Sequence, residues 1–176
     1  MKKQLFTLAA VMLLITGCAS SSLTKDIQVE TDSDPKADLS GYKSYAWLGS
    51  AAILFDDQGR WEPPQFDADA EIKFLIDREL RAHGLTEDSV NPDMIVLYAA
   101  GIDMDTMDVK TDPESGLEVL EDAPMGALSV ILIDATTGLA VWAGVATANI
   151  QENPTPETTK KRLDYAVSKM FDDLPH

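Results

Sequence analysis

The chain reads as an α+β domain: a two-layer sandwich in which two helices cover one face of an antiparallel sheet of about four to five strands. The predicted order is β-β-α-β-β-β-α. Three observations predict it. Residues 67–83 and 155–174 place apolar side chains at three-four spacing, as an amphipathic helix does. Residues 42–48, 94–102, 127–133 and 139–148 are apolar runs of strand type. The last two of these flank Asp134-Ala135-Thr136-Thr137-Gly138, a turn that favours a hairpin. No internal repeat and no second boundary interrupts residues 27–176, which form one domain.

Taken in order, residues 27–31 alternate apolar and polar side chains, as an edge strand does, and Asp32-Ser33-Asp34-Pro35 reads as a turn. Tyr42-Lys43-Ser44-Tyr45-Ala46-Trp47-Leu48 supplies the second strand. Residues 49–66 contain Gly49, Asp56-Asp57-Gln58-Gly59 and Pro63-Pro64 and read as a long loop whose apolar residues lie against the body. Asp67 or Asp69 caps the first helix, with Ile72, Leu75, Ile76 and Leu80 on its buried face. Gly84-Leu85 stops it by a left-handed residue followed by an apolar contact back onto the last turn. Residues 94–102 form a strongly apolar strand. Residues 103–125 are acidic and turn-rich, the pattern of a functional or mobile loop. After the hairpin, Thr155 caps and Pro156 opens the final helix, whose stripe is Leu163, Ala166, Val167, Met170, Phe171 and Leu174.

Residues 1–17 stand apart. Lys2 and Lys3 precede an apolar run over 5–15, shorter than the roughly 20 residues a membrane-spanning helix needs and shaped like a secretory leader. Leu14-Ile15-Thr16-Gly17-Cys18 resembles a bacterial lipobox. The resemblance implies cleavage before Cys18, a diacylglycerol on its sulfur and an acyl chain such as palmitate on its amine. Cys18 is the single cysteine of the chain, so it has no disulfide partner within it. Residues 18–26 become the lipidated cysteine and a short serine-rich tether. Ala19 and Ser20, with no aspartate among them, imply by resemblance to Gram-negative lipoproteins an outer-membrane location on the periplasmic side. The chain carries a net charge of −16, and loss of the two leader lysines makes it −18. Such a surface repels nucleic acid and anionic headgroups. Attachment therefore falls to the acyl chains, since one chain holds weakly and two or three hold firmly.

From residue 42 to residue 175 the chain resembles a bacterial lipoprotein family, domain of unknown function 4136. The matching pieces are Tyr42-Lys43-Ser44-Tyr45-Ala46-Trp47, Arg78-Glu79-Leu80 with Gly84-Leu85, and Pro92-Asp93-Met94-Ile95-Val96. Gly126-Ala127-Leu128 leading to Asp134, Val141-Trp142-Ala143-Gly144 and the closing Leu174-Pro175 complete them. The resemblance implies an α+β sandwich on a lipid tether and no established activity. This chain departs from the pattern at Ile131, where relatives tend to carry an acid, and at Ala143, where they tend to carry a base.

Those departures suggest a surface. With 131 opposite 141 in the hairpin, Leu128, Val130, Leu132 and Trp142 share the face toward the helices. Ile131, Ile133, Leu139, Val141, Ala143 and Val145 share the other. An apolar face of that kind marks a docking surface for a protein partner, another copy or an acyl-like ligand, with Ile131, Ile133, Val141 and Ala143 at its centre. The alternative is that residues 49–66 or 103–125 fold over it.

Other chemistry is weakly signalled. Asp103, Asp105, Asp108, Asp112, Glu114, Glu118, Glu121 and Asp122 offer oxygen ligands, but Met107 occupies the fifth position of an EF-hand count from Asp103 and the glycine is missing. A solvated acidic loop is the reading, and no metal is assigned. Of the two histidines, His83 falls at a helix end and His176 at the terminus. No Gly-x-Ser-x-Gly elbow, P-loop or dinucleotide fingerprint is present, so no cofactor and no catalytic residue is assigned. Trp61, in a loop, is the tryptophan best placed for a sugar groove. The sequence thus points to a non-enzymatic binding module of the envelope, with an acidic-loop hydrolase and an acyl carrier as alternatives.

Overall fold

The computed structural model describes residues 22–174, Ser115 excepted. The leader, Cys18, Ala19, Ser20, Pro175 and His176 lie outside them. Ten regular elements follow in order: β1 (Gln28–Ser33), β2 (Ser44–Phe55), α1 (Ala68–Ala82), β3 (Thr86–Glu87), β4 (Met94–Asp103), β5 (Met107–Thr111), β6 (Glu118–Asp122), β7 (Met125–Asp134), β8 (Ala140–Asn149) and α2 (Pro156–Phe171).

The fold is α+β with both helices on one face of the sheet, as expected. The sheet itself is larger than expected and mixed. Six strands lie in the order β1-β8-β7-β4-β2-β3, and β5 pairs only with β6. β2 runs parallel to β4 and to β3, while the other pairs are antiparallel. The reason is the connection: β2 reaches β4 by way of α1, and a helical crossover returns a strand parallel to its neighbour. Residues 49–55, read as loop, extend β2 past a register irregularity between Trp47 and Gly49. Residues 107–111 and 118–122 close into the β5–β6 hairpin where an irregular loop was expected.

Both helices start where the sequence places them. The Asp67 carboxylate accepts the Ala70 N–H at 3.0 Å. Thr155 and Thr158 exchange side-chain and backbone hydrogen bonds as a capping box, with Pro156 at the first helical position. Gly84 ends α1 at φ 83°, and the Leu85 N–H returns to the Leu80 carbonyl at 3.0 Å. Leu85 then joins the core.

That core lies between sheet and helices. Tyr45, Ile76, Leu80, Val96, Val130, Leu132, Val167, Met170 and Phe171 are fully buried, and Trp142 is 1% exposed. The Trp142 ring packs on Phe171 with centroids 5.1 Å apart. Gly144 makes room for it: a Cβ there would meet the indole at 2.7 Å and Met170 Sδ at 3.2 Å. The helices are joined by Lys160–Glu71 at 2.6 Å and by an Arg78–Asp164 pair. Arg162 of α2 donates to both Asp26 carboxylate oxygens, at 2.8 and 2.6 Å, and to the Leu23 carbonyl. The segment just before β1 is thereby fastened to the body.

Candidate functional site

The side of the sheet away from the helices is the surface the sequence singles out, and its composition can now be read from the register. Ile131 of β7 stands between Ala143 of β8 and Leu97 of β4. Ser129 stands between Val145 and Ala99, and Ile133 stands opposite Ile95. Directly paired residues of antiparallel strands share a face. These side chains therefore form one field across three strands, apolar except for Ser129. All of them are partly exposed, Val145 at 39%. The fully buried residues of the same strands point the other way.

Val141 does not belong to this field. It is 4% exposed and part of the core. The expected register, 131 opposite 141, is displaced by two residues to 131 opposite 143. A displacement of two keeps Ile131, Ile133 and Ala143 on the outer face, because the side-chain period of a strand is two. Between Leu132 and Ile133 the register then slips by one, which makes Val141 the extra residue of a bulge. Val141 and Trp142 both turn inward there. The face is also less purely apolar than expected: Ser129 lies in it, and Glu30 and Asp32 of β1, opposite Val145 and Ala143, border it.

Neither segment proposed as a cover pairs with this face. Residues 49–55 are part of the sheet, and the strands of the β5–β6 hairpin pair only with each other. At the base of that hairpin the Arg60 guanidinium joins Asp105 at 3.2 Å to Asp122 at 2.5 Å. Lys110 pairs with Glu121 at 3.1 Å. The acidic residues are spread along two strands, and among the described residues no group of three or more His, Cys, Asp or Glu side chains converges on a point where a metal ion would sit.

The sequence does not foretell a set of carboxylates that fasten aromatic hydroxyls. Asp77 of α1 accepts from Tyr45 Oη at 2.7 Å and Trp47 Nε1 at 3.0 Å. Asp69, one turn pair earlier, accepts from Tyr98 Oη and from Ser50 Oγ at 2.7 Å, and pairs with Lys73 at 3.0 Å. Asp134 accepts from Tyr42 Oη at 2.7 Å, and also from the Thr136 and Thr137 N–H groups of its own turn. Burial, and then the neighbouring carboxylate, pushes Tyr42 and Tyr98 up to about 12 and Tyr45 higher still. The hydrogen bond from Tyr98, reinforced by Ser50 and Lys73, holds Asp69 down at about 2. Each proton stays with its tyrosine, so these pairs join helix to sheet and strand to turn. The available signal was the Tyr45–Trp47 spacing, two aromatics on one strand face aimed at one helix.

The remaining sequence candidates are dispersed. Trp142 is core, and Trp47 meets Tyr98 edge-on at 6.2 Å. The Trp61 N–H is held by Asp56 at 2.8 Å. His83 caps α1, its Nδ1 3.0 Å from the Glu79 carbonyl. It also borders a cleft of about 160 Å³ with Tyr42, Lys43, Met94, Leu132 and Leu174. Ligand pockets usually measure about 300–1,000 Å³.

The fold and this surface define a class: a two-layer α+β body with one sheet face under helices and the other presenting apolar side chains. The chain belongs to the family described as domain of unknown function DUF4136, whose model matches residues 29–176. No curated protein matches it. Among solved structures it is similar to a DUF4136 family protein from Bacteroides thetaiotaomicron VPI-5482, at 11% identity and TM-score 0.55 over 84% of this chain and 95% of that one. It is also similar to a PDZ domain protein from Parabacteroides distasonis ATCC 8503, at 15% identity and TM-score 0.50 over 89% of this chain. This chain spans only 40% of that protein's length. At such identities the likeness is one of fold. Among the described residues, no helix is long and apolar enough to cross a membrane.

Proposed function

We propose that the protein is a non-enzymatic lipoprotein, held by acyl chains on Cys18 to the periplasmic side of the outer membrane, that docks a protein partner through the outer face of its sheet. The anchor rests on the leader and on Leu14-Ile15-Thr16-Gly17-Cys18. The docking role rests on one observation above all: Ile131, Ile133, Ala143, Val145 and Leu97 form a continuous apolar field on the side of the sheet away from the helices. Exposed apolar patches of a few hundred Å² are typical of protein-binding sites.

Acyl carriage fits less well, because the cleft of about 160 Å³ is small for a chain. A hydrolase using the acidic segment fits less well too, because its carboxylates line a hairpin instead of flanking a common point.

Two measurements test the reading. Metabolic labelling with palmitate marks the wild type and not Cys18→Ser, and the variant leaves the membrane fraction. Ile131→Glu keeps the fold but loses co-purification of envelope partners under mild crosslinking. An unlabelled wild type would overturn the anchor, and an unchanged crosslinking pattern would overturn the docking face.

A further inference from the structure

The two edges of the large sheet are not alike. β1 closes one side with Glu30 and Asp32 on its outer face beside the polar Gln28, and such charges keep an edge from pairing with a foreign strand. The other side is closed by β3, but β3 is two residues long and pairs only with Ser44 and Tyr45 of β2. From Ala46 to Phe55 the outward side of β2 has no strand partner among the described residues.

This open edge has three properties together. It is uncharged along its whole length, Ala46-Trp47-Leu48-Gly49-Ser50-Ala51-Ala52-Ile53-Leu54-Phe55. Residues 50–55 are exposed throughout, with Ile53, Leu54 and Phe55 each about half exposed or more. And its hydrogen-bonding groups alternate: the Phe55 carbonyl accepts the Met104 N–H at 2.8 Å, toward β4, so the N–H and C=O groups of Ser50, Ala52 and Leu54 point outward. A strand so placed is a template for one more strand.

Charge selects what the added strand can be. Asp56 and Asp57 follow Phe55 directly, and Asp67 opens the helix that lies along β2; Asp69, bonded to Ser50, already has Lys73 as its ion-pair partner. A second copy would bring another body of net charge −16 or beyond to the same seam. A strand with basic residues beyond its apolar stretch meets those aspartates favourably.

We infer that the Ser50–Phe55 edge of β2 is a β-augmentation site for an extended segment of a partner protein, apolar in its middle and flanked by lysine or arginine. The inference rests on the binding role proposed above and names the shape and charge of what is bound; it does not need the lipid.

The test uses the full chain, isotopically labelled, and a short synthetic peptide of alternating valine and threonine with paired lysines at both ends. Exchange of the Ser50, Ala52 and Leu54 amides is followed with and without it. The expected result is slowing of these amides by about tenfold or more, as cross-strand bonding protects them. It weakens markedly when glutamates replace the lysines, and disappears in Ala52→Pro. Ala52→Lys, an edge-guarding change that keeps every backbone group, must weaken it as well if Ala52→Pro fails to fold. No slowing in the wild type, or equal slowing by the glutamate peptide, overturns the inference. So does slowing that grows with protein concentration in the absence of peptide, which would assign the edge to a second copy. Because Ile131→Glu leaves this edge intact, loss of the edge site and loss of the outer-face docking are separable results.

Discussion

Neighbouring residues of β7 have opposite fates. Val130 and Leu132 are wholly buried, while Ile131 and Ile133 between and beside them stay partly exposed, although all four are aliphatic. β4 repeats the contrast with Val96 and Leu97. Strands that are apolar on both sides are the mark of sheets covered on both faces. Here two helices cover one face, and the other has the composition of a covered face without an intramolecular cover among the described strands and helices. The lesson is that hydrophobicity along a strand reports that both faces are meant to be dry, while only the structure reports which one the chain dries by itself.

The contrast can be broken from the buried side first. Trp142→Ala should cost about 3–5 kcal/mol, as large aromatic truncations in cores do, read from denaturant unfolding. A cost under about 1 kcal/mol would mean that the inner face is no better packed than the outer. Gly144→Ala on the same face should cost about 1–3 kcal/mol, because the added methyl meets the Trp142 ring and Met170. Asp77→Ala strands the buried Tyr45 hydroxyl and should also cost about 1–3 kcal/mol, with Tyr45→Phe recovering part of it in the double variant.

pH sharpens the picture at the seams between layers. Tyr42 and Tyr98 titrate near 12 in the fold against 10.0 in an open chain. A raised pKa means that the fold favours the protonated phenol. The stability it adds is complete below pH 10 and is lost as pH rises through 12. Alkaline unfolding should therefore fall in that window, and Tyr98→Phe should flatten it. Asp69 works in the opposite sense: held near 2 against 3.8, it adds stability that is whole above pH 3.8 and fades as pH falls through 2. Chemical denaturation across both ranges checks these signs. The smallest effect on stability belongs to the outer face, where Ile131→Glu should change unfolding by no more than about 1 kcal/mol while abolishing partner capture.

Much of the architecture was legible in the residues. The stripe of Ile72, Leu75, Ile76 and Leu80 and that of Ala166, Val167, Met170 and Phe171 specify both helices and the faces they bury. The Asp67 and Thr155 caps mark their starts. What escaped was mostly long-range or local in a misleading way. The order of a strand, a helix and a strand over residues 44–103 already implies a parallel crossover, yet the antiparallel hairpin downstream dominates the expectation for the whole sheet. Gly49 reads as a strand stop, when it sits at an irregularity that β2 runs through. Charge hides the β5–β6 hairpin: Met107-Asp108-Val109-Lys110-Thr111 alternates properly, but its acids suggest a loop. As for the site, Ile131, Ile133 and Ala143 fall on the outer face as the period of two requires. Val141 does not, because a one-residue bulge is not encoded in hydrophobicity. The β2 edge was beyond reach, since no local pattern says that β3 will be two residues long.

The most direct test of the docking face is cysteine labelling at Ile131→Cys with a bulky, membrane-impermeant maleimide, with the wild-type chain as the control for any labelling at Cys18. Purified protein should label readily, because Ile131 is partly exposed and no described strand or helix lies over that face. Protein in broken but otherwise native envelopes should label slowly, because a partner lies on it. Equal labelling in both would contradict the account.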